Sequence, residues 1–215
     1  MRNPTPLTQK RTPMAAKLKH TIPSLFIIES LDADDELNKR REGKILSEML
    51  RLSGKESHYF YIRTKKEFEW ALGLFSQSNY RYLHISCHAN KSSMATTLES
   101  IKLELLGTIL APHLKGKRLF ISACSMASPA LANSISPDSG CLSILGPKKD
   151  LGFHDAAIFW AAFYYKMFCI KKQSMSSINL IETAQSLSNL FGISLSCYYH
   201  KGKDSAKCEI VPNSQ

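Results

Sequence analysis

The chain has 215 residues, 44% of them apolar, and a formal net charge of +10. That length and apolar content suit one globular domain with a sizeable core and exclude a disordered chain. The basic surface suits association with an acidic partner, but its lysines fall in scattered pairs such as Lys115/Lys117 and Lys148/Lys149, with no basic helix or aromatic platform for nucleic acid.

Residues 1–22 are rich in Pro, Thr and basic side chains and are expected to form a flexible basic arm, with 23–215 as a single domain. No apolar run is long enough to span a bilayer, and no secretory leader is visible. The six cysteines form no CxxC pair, which points to a reducing, cytoplasmic setting with most thiols acting as small core residues.

The first strand is expected at Ser24 to Ser30, followed by an acidic loop (Asp32, Asp34, Asp35) and a helix over about Glu36 to Leu52. A second strand, His58 to Arg63, leads to Thr64, a helix cap, and a helix whose apolar stripe is Phe68, Trp70, Ala71, Leu74 and Phe75. The third strand is the run Tyr82-Leu83-His84-Ile85-Ser86-Cys87. A polar loop from Ala89 to Thr97 and a helix from Leu98 to Leu114 then lead to a fourth strand, Arg118 to Ala123. Short helical character follows at Met126 to Ser134. A fifth strand runs Cys141 to Leu145, broken by Gly146-Pro147. Helices over Phe153 to Ile170 and Ser176 to Phe191 come next, and Ile193 to Tyr199 closes the order as a last strand. Strands alternating with helices predict an α/β fold with a mostly parallel sheet.

The third strand delivers His88 at its end and the fourth delivers Cys124. If the intervening helix makes a right-handed crossover, both leave the sheet at its carboxyl edge, where open α/β sheets place their sites. A thiol facing an imidazole there suggests a cysteine nucleophile with its base. His84 reads as a core histidine and Cys87 as core packing. A zinc reading of His84, Cys87 and His88 would need a helix, and on a strand the three do not converge. No glycine-rich phosphate loop follows a strand. No cofactor or metal is expected.

The pair of motifs His84-Ile85-Ser86-Cys87-His88 and Phe120-Ile121-Ser122-Ala123-Cys124-Ser125 resembles the caspase-like cysteine peptidases (clan CD), most closely the bacterial CHAT branch, over about Ser24 to Phe168. The resemblance implies a three-layer sandwich with a mostly parallel central sheet flanked by helices. It implies a cysteine endopeptidase with His88 as base and Cys124 as nucleophile, and an oxyanion site made by the backbone N–H groups of Ala89 and Cys124. Its substrates would be proteins, and a partner protein or ligand would activate it. Where the family usually has Gly after the His, this chain has Ala89, so the turn must avoid positive φ or accept strain. Metacaspases place an Asp for a basic P1 residue two positions before the Cys; here that position is Ser122. Asp32, Asp34, Asp35, Ser122 and, from the loop after the fifth strand, Asp155 are candidates for the substrate pocket. The alternative is a catalytically inactive interaction module in a signalling or defence complex, favoured by the Ala89-Asn90 departure.

Overall fold

The computed structural model describes residues 21–135, 137–170, 175–201 and 204–213. The expected arm lies outside the described residues except for Thr21 and Ile22. Ile22 already belongs to the first strand, and Thr21 accepts a hydrogen bond from Arg81.

A central sheet of seven strands has the order β2-β1-β3-β6-β7-β8-β9. Its strands are β1 (Ile22–Glu29), β2 (Ser57–Tyr61), β3 (Tyr80–Ser86), β6 (Arg118–Ser122), β7 (Ser143–Pro147), β8 (Leu195–Lys201) and β9 (Asp204–Ile210). The first five pair in parallel, and β8 and β9 add on antiparallel. Alternate side chains on each strand enter different cores, as the strand period of two requires. Phe26, Ile28, Leu83, Ile85, Leu119 and Ile121 pack under α3 (Lys65–Ser78), α4 (Leu103–Leu110) and α5 (Pro129–Ser134). Leu25, Ile27, Tyr82, Phe120 and Leu145 pack under α2 (Glu42–Leu52), α6 (Phe153–Tyr165) and α7 (Ser177–Phe191). The result is a three-layer sandwich with a mostly parallel central sheet, and the strands carrying the His and the Cys are direct neighbours.

Local chemistry explains the helix starts. Thr64 and Glu67 form a reciprocal capping box at α3, and Ser128 and Ser176 cap α5 and α7.

Four expectations need correction. The helix expected over about Glu36 to Leu52 is two, α1 (Ala33–Leu37) and α2, separated by a turn in which Lys39 sits at φ 57°. The expected loop and helix between Ala89 and Leu114 contain a small hairpin, β4 (Ser93–Ala95) with β5 (Ser100–Lys102), so α4 starts five residues later than the periodicity suggested. Gly146 and Pro147 do not break the fifth strand. Here β8 runs antiparallel to it, with Ser196 and Leu195 opposite them. The helix from Phe153 loosens into a π turn at Lys166–Ile170. The sequence reading missed β9, whose charged residues suit an edge.

Candidate active site

The register between β3 and β6 positions the site. Ser86 lies opposite Ser122, and both project toward α2 and α6. His88 and Cys124 each come two residues beyond that rung, so strand alternation brings both to the same face at the carboxyl edge. One further ladder bond, Cys87 N–H to the Ser122 carbonyl at 3.2 Å, keeps the two chain segments together past the strand ends.

His88 and Cys124 line one cavity of about 240 Å³, together with Glu42, Ser122, Leu151, Phe153 and Ala156 among others. His88 Nε2–H donates to Asp35 Oδ2 at 2.5 Å, with Asp32 Oδ2 at 3.4 Å from the same nitrogen. Phe153 packs edge-on against the imidazole with ring centroids 5.1 Å apart. The Cys124 thiol is half-buried, and its Sγ lies 4.0 Å from the Leu151 carbonyl. The next residue, Ser125, is held at φ 53°, a left-handed conformation that costs a non-glycine residue about 1–2 kcal/mol. Such a conformation fixes the direction of the turn that presents Cys124. Ala89 is not among the described residues with positive φ; its hairpin closes with Ala95 N–H donating to the His88 carbonyl at 2.8 Å.

The acidic residues have separate roles. Asp32 caps α1, accepting from Asp35 N–H at 2.8 Å. Asp35 is 5% exposed and also takes a hydrogen bond from Arg40 at 2.7 Å. Burial opposes ionisation of Asp35, but the hydrogen bonds and charges of His88 and Arg40 outweigh it and hold the carboxyl below its ordinary value. Asp34 is exposed on α1 and does not line the cavity. Asp155 pairs with His154 at 3.2 Å and lines a neighbouring depression with Phe191 and Ile193. Ser122 lines the cavity and donates to Glu42 Oε2 at 2.7 Å, as Ser86 does at 3.0 Å.

Glu42 is the site residue that sequence reasoning passed over. It opens α2, where an acidic residue is ordinarily read as a partner of the helix dipole. The fold instead buries it to 3% exposure under the cavity. His84 lies deeper, with Nδ1 hydrogen-bonded to the Tyr164 hydroxyl at 2.8 Å and Nε2 3.5 Å from Glu42 Oε1. Cys87 packs in the opposite core and also borders the cavity. Asp32, Asp35 and His88 offer ligand atoms within 4.8 Å of one another, a spacing a divalent cation would bridge, but Asp35 Oδ1 is already taken by Arg40. Three of the other cysteines, Cys87, Cys141 and Cys197, are buried. Burial pushes Cys141 and Cys197 up to about 12 and Cys87 higher still, so these three are inert thiols.

No protein-family model matches the chain, and no curated protein is similar to it. Solved structures are. A secreted C11 cysteine protease from Bacteroides thetaiotaomicron superposes with a TM-score of 0.56 at 9% identity, over 83% of this chain and 66% of that one. The chain thus spans just under two thirds of that protease. Caspase-1 from Spodoptera frugiperda matches at a TM-score of 0.47 and 15% identity, over 84% of each chain. At 9% identity the likeness to the C11 protease shows the fold alone: a mostly parallel sheet between two layers of helices, of the caspase-like kind.

Proposed function

We propose that the chain is a cysteine peptidase that hydrolyses peptide bonds in protein substrates, with Cys124 as nucleophile, His88 as proton carrier and Asp35 orienting the imidazole. The observation that carries this reading is the His88–Asp35 hydrogen bond. It engages Nε2 and leaves Nδ1 for a sulfur that lines the same cavity.

The thiol proton passes to His88, and the sulfur bonds to the substrate carbonyl carbon. The resulting oxyanion is met by the N–H groups of Cys124 and Ala89. His88 returns the proton to the amine nitrogen as the C–N bond breaks, leaving a thioester. Water then attacks, giving its proton to His88, and the C–S bond breaks to restore the thiol. Of the clan CD branches, the CHAT branch fits the two motifs best. The contacts of Leu151 with Cys124 and of Phe153 with His88 support activation by a partner, because a shift of the segment after β7 would alter the surroundings of both groups. Six free thiols support a reducing, cytoplasmic setting. Among the described residues, no helix is long and apolar enough to cross a membrane.

The test is a comparison of protein N-termini in cells expressing the wild type or Cys124→Ala. New termini present only with the wild type support the peptidase. Identical termini from two stably folded proteins, with a partner complex retained by both, would favour the inactive module instead.

A further inference from the structure

The corner between α1 and α2 carries a second concave surface, which shares no lining residue with the Cys124 cavity. It measures about 830 Å³, within the range of ligand grooves. From α2 it is lined by Lys44, Ile45 and Glu48, with Arg41 at the cap. Spacings of three and four put these on one side of the helix, while Leu46 and Leu50 turn into the core. Leu37 lines it from α1 and Lys39 from the turn between the helices, where a left-handed residue (φ 57°) sets one helix against the other.

Two properties of this groove call for an occupant. Leu37 is 80% exposed and Ile45 52% exposed, one from each helix, so the groove has an apolar floor open to solvent. Its charges do not cancel either. Lys39, Arg41, Lys44 and Arg63 line it against two carboxylates, Glu36 and Glu48. Glu36 is already taken by Arg63 at 3.2 Å, and among the described residues neither Lys39 nor Lys44 is in an ion pair.

The chemistry narrows what fits. Residues 1–20 contain Arg2, Lys10, Arg11, Lys17 and Lys19 and no Asp or Glu, so the chain's own arm is repelled by like charge. A phosphate-bearing surface would meet Glu36 and Glu48, whereas a peptide can set apolar side chains on Leu37 and Ile45 and carboxylates beside the lysines. We propose that the α1–α2 groove is a docking surface for an acidic amphipathic segment of a partner protein. It abuts the site through α1, where Asp35 holds His88 and the next residue, Glu36, holds Arg63 of the groove. Binding here is independent of the chemistry at Cys124.

The experiment measures fluorescence anisotropy with three labelled 14-residue peptides. One carries leucines at helical spacing among glutamates, one has the glutamates replaced by lysine, and one has the leucines replaced by serine. The wild type is expected to bind the first at least tenfold more tightly than the other two. Lys39→Glu/Lys44→Glu should weaken that binding by tenfold or more. Lys66→Glu/Lys102→Glu, an equal charge change at exposed positions outside the groove, should leave it within about twofold. No binding of the first peptide overturns the proposal. So does a serine peptide that binds as well, or a Lys66/Lys102 change that costs as much, since either reduces the effect to the overall charge. Cosedimentation with phosphatidylserine vesicles that depends on Lys39 and Lys44, without peptide binding, would assign the groove to a membrane surface instead. The wild-type peptide series decides even if a variant does not fold.

Discussion

Glu29, at the end of β1, is fully buried, and its carboxylate accepts from Gly43 N–H at 2.6 Å and from the Tyr59 hydroxyl at 2.7 Å. These bonds anchor the first turn of α2, which carries Glu42. Burial raises the carboxyl from 4.5 to about 7 despite them, and repulsion from Glu42 adds to the rise. The sign of the linkage follows. Between pH 4.5 and 7 the unfolded chain releases this proton while the folded chain keeps it, so folded protein binds more protons and stability falls as pH rises through that window. A shift of this size corresponds to on the order of 3 kcal/mol, lost in full once the pH exceeds the folded value. Glu29→Gln keeps an acceptor for Gly43 and removes the titration. Urea unfolding of both proteins at pH 4.5, 6 and 8 therefore should show a stability difference that moves in favour of glutamine by about 3 kcal/mol across the series. A difference that stays constant with pH would refute the reasoning, whatever its absolute size.

Asp35→Asn should lower kcat by roughly 10²- to 10⁴-fold with little change in KM, because the imidazole loses its orientation and tautomer rather than its substrate. A loss of thermal stability with kcat intact would instead reduce Asp35 to an anchor for Arg40. Gly107→Ala places a Cβ 2.0 Å from Ser134 Oγ and 2.8 Å from its carbonyl carbon, where α4 meets α5. The expected cost is about 2–3 kcal/mol. Gly73→Ala in α3, with nothing within 4 Å, should gain about 0.5–1 kcal/mol, so calorimetric melting should shift in opposite directions for the two variants.

The sheet and its site edge were legible because β3 and β6 are short apolar runs whose alternation is visible in the residues themselves. Once two such strands pair in register, the edge position of His88 and Cys124 follows from the period of two. The β4–β5 hairpin was not legible: Ser92 to Lys102 is polar and serine-rich, and only Met94 and Ile101 face the core. The break between α1 and α2 was hidden because its turn residue, Lys39, is no turn former, and the left-handed conformation is imposed by the fold. β9 was missed because its exposed face is charged, with Glu209 taking Lys148 at 2.5 Å and Lys207 at 2.6 Å. Asp34 and Asp155 were plausible pocket residues on sequence order alone, and three-dimensional placement turns them elsewhere. Glu42 had no local signal at all. Its hydrogen-bond partners are a serine rung, Ser86 and Ser122, contributed by two strands and 36 residues apart in sequence.

The central claim is that His88 activates Cys124 at the shared sheet edge. Time-resolved alkylation of all six cysteines at pH 7, mapped by mass spectrometry, tests it in wild type and His88→Ala. The account predicts that Cys124 reacts first in the wild type and slows by about 100-fold in the variant, as expected when a thiol loses the partner that favours its thiolate. A Cys124 that reacts no faster than the half-exposed Cys169 and Cys208, or at the same rate with and without His88, would contradict it.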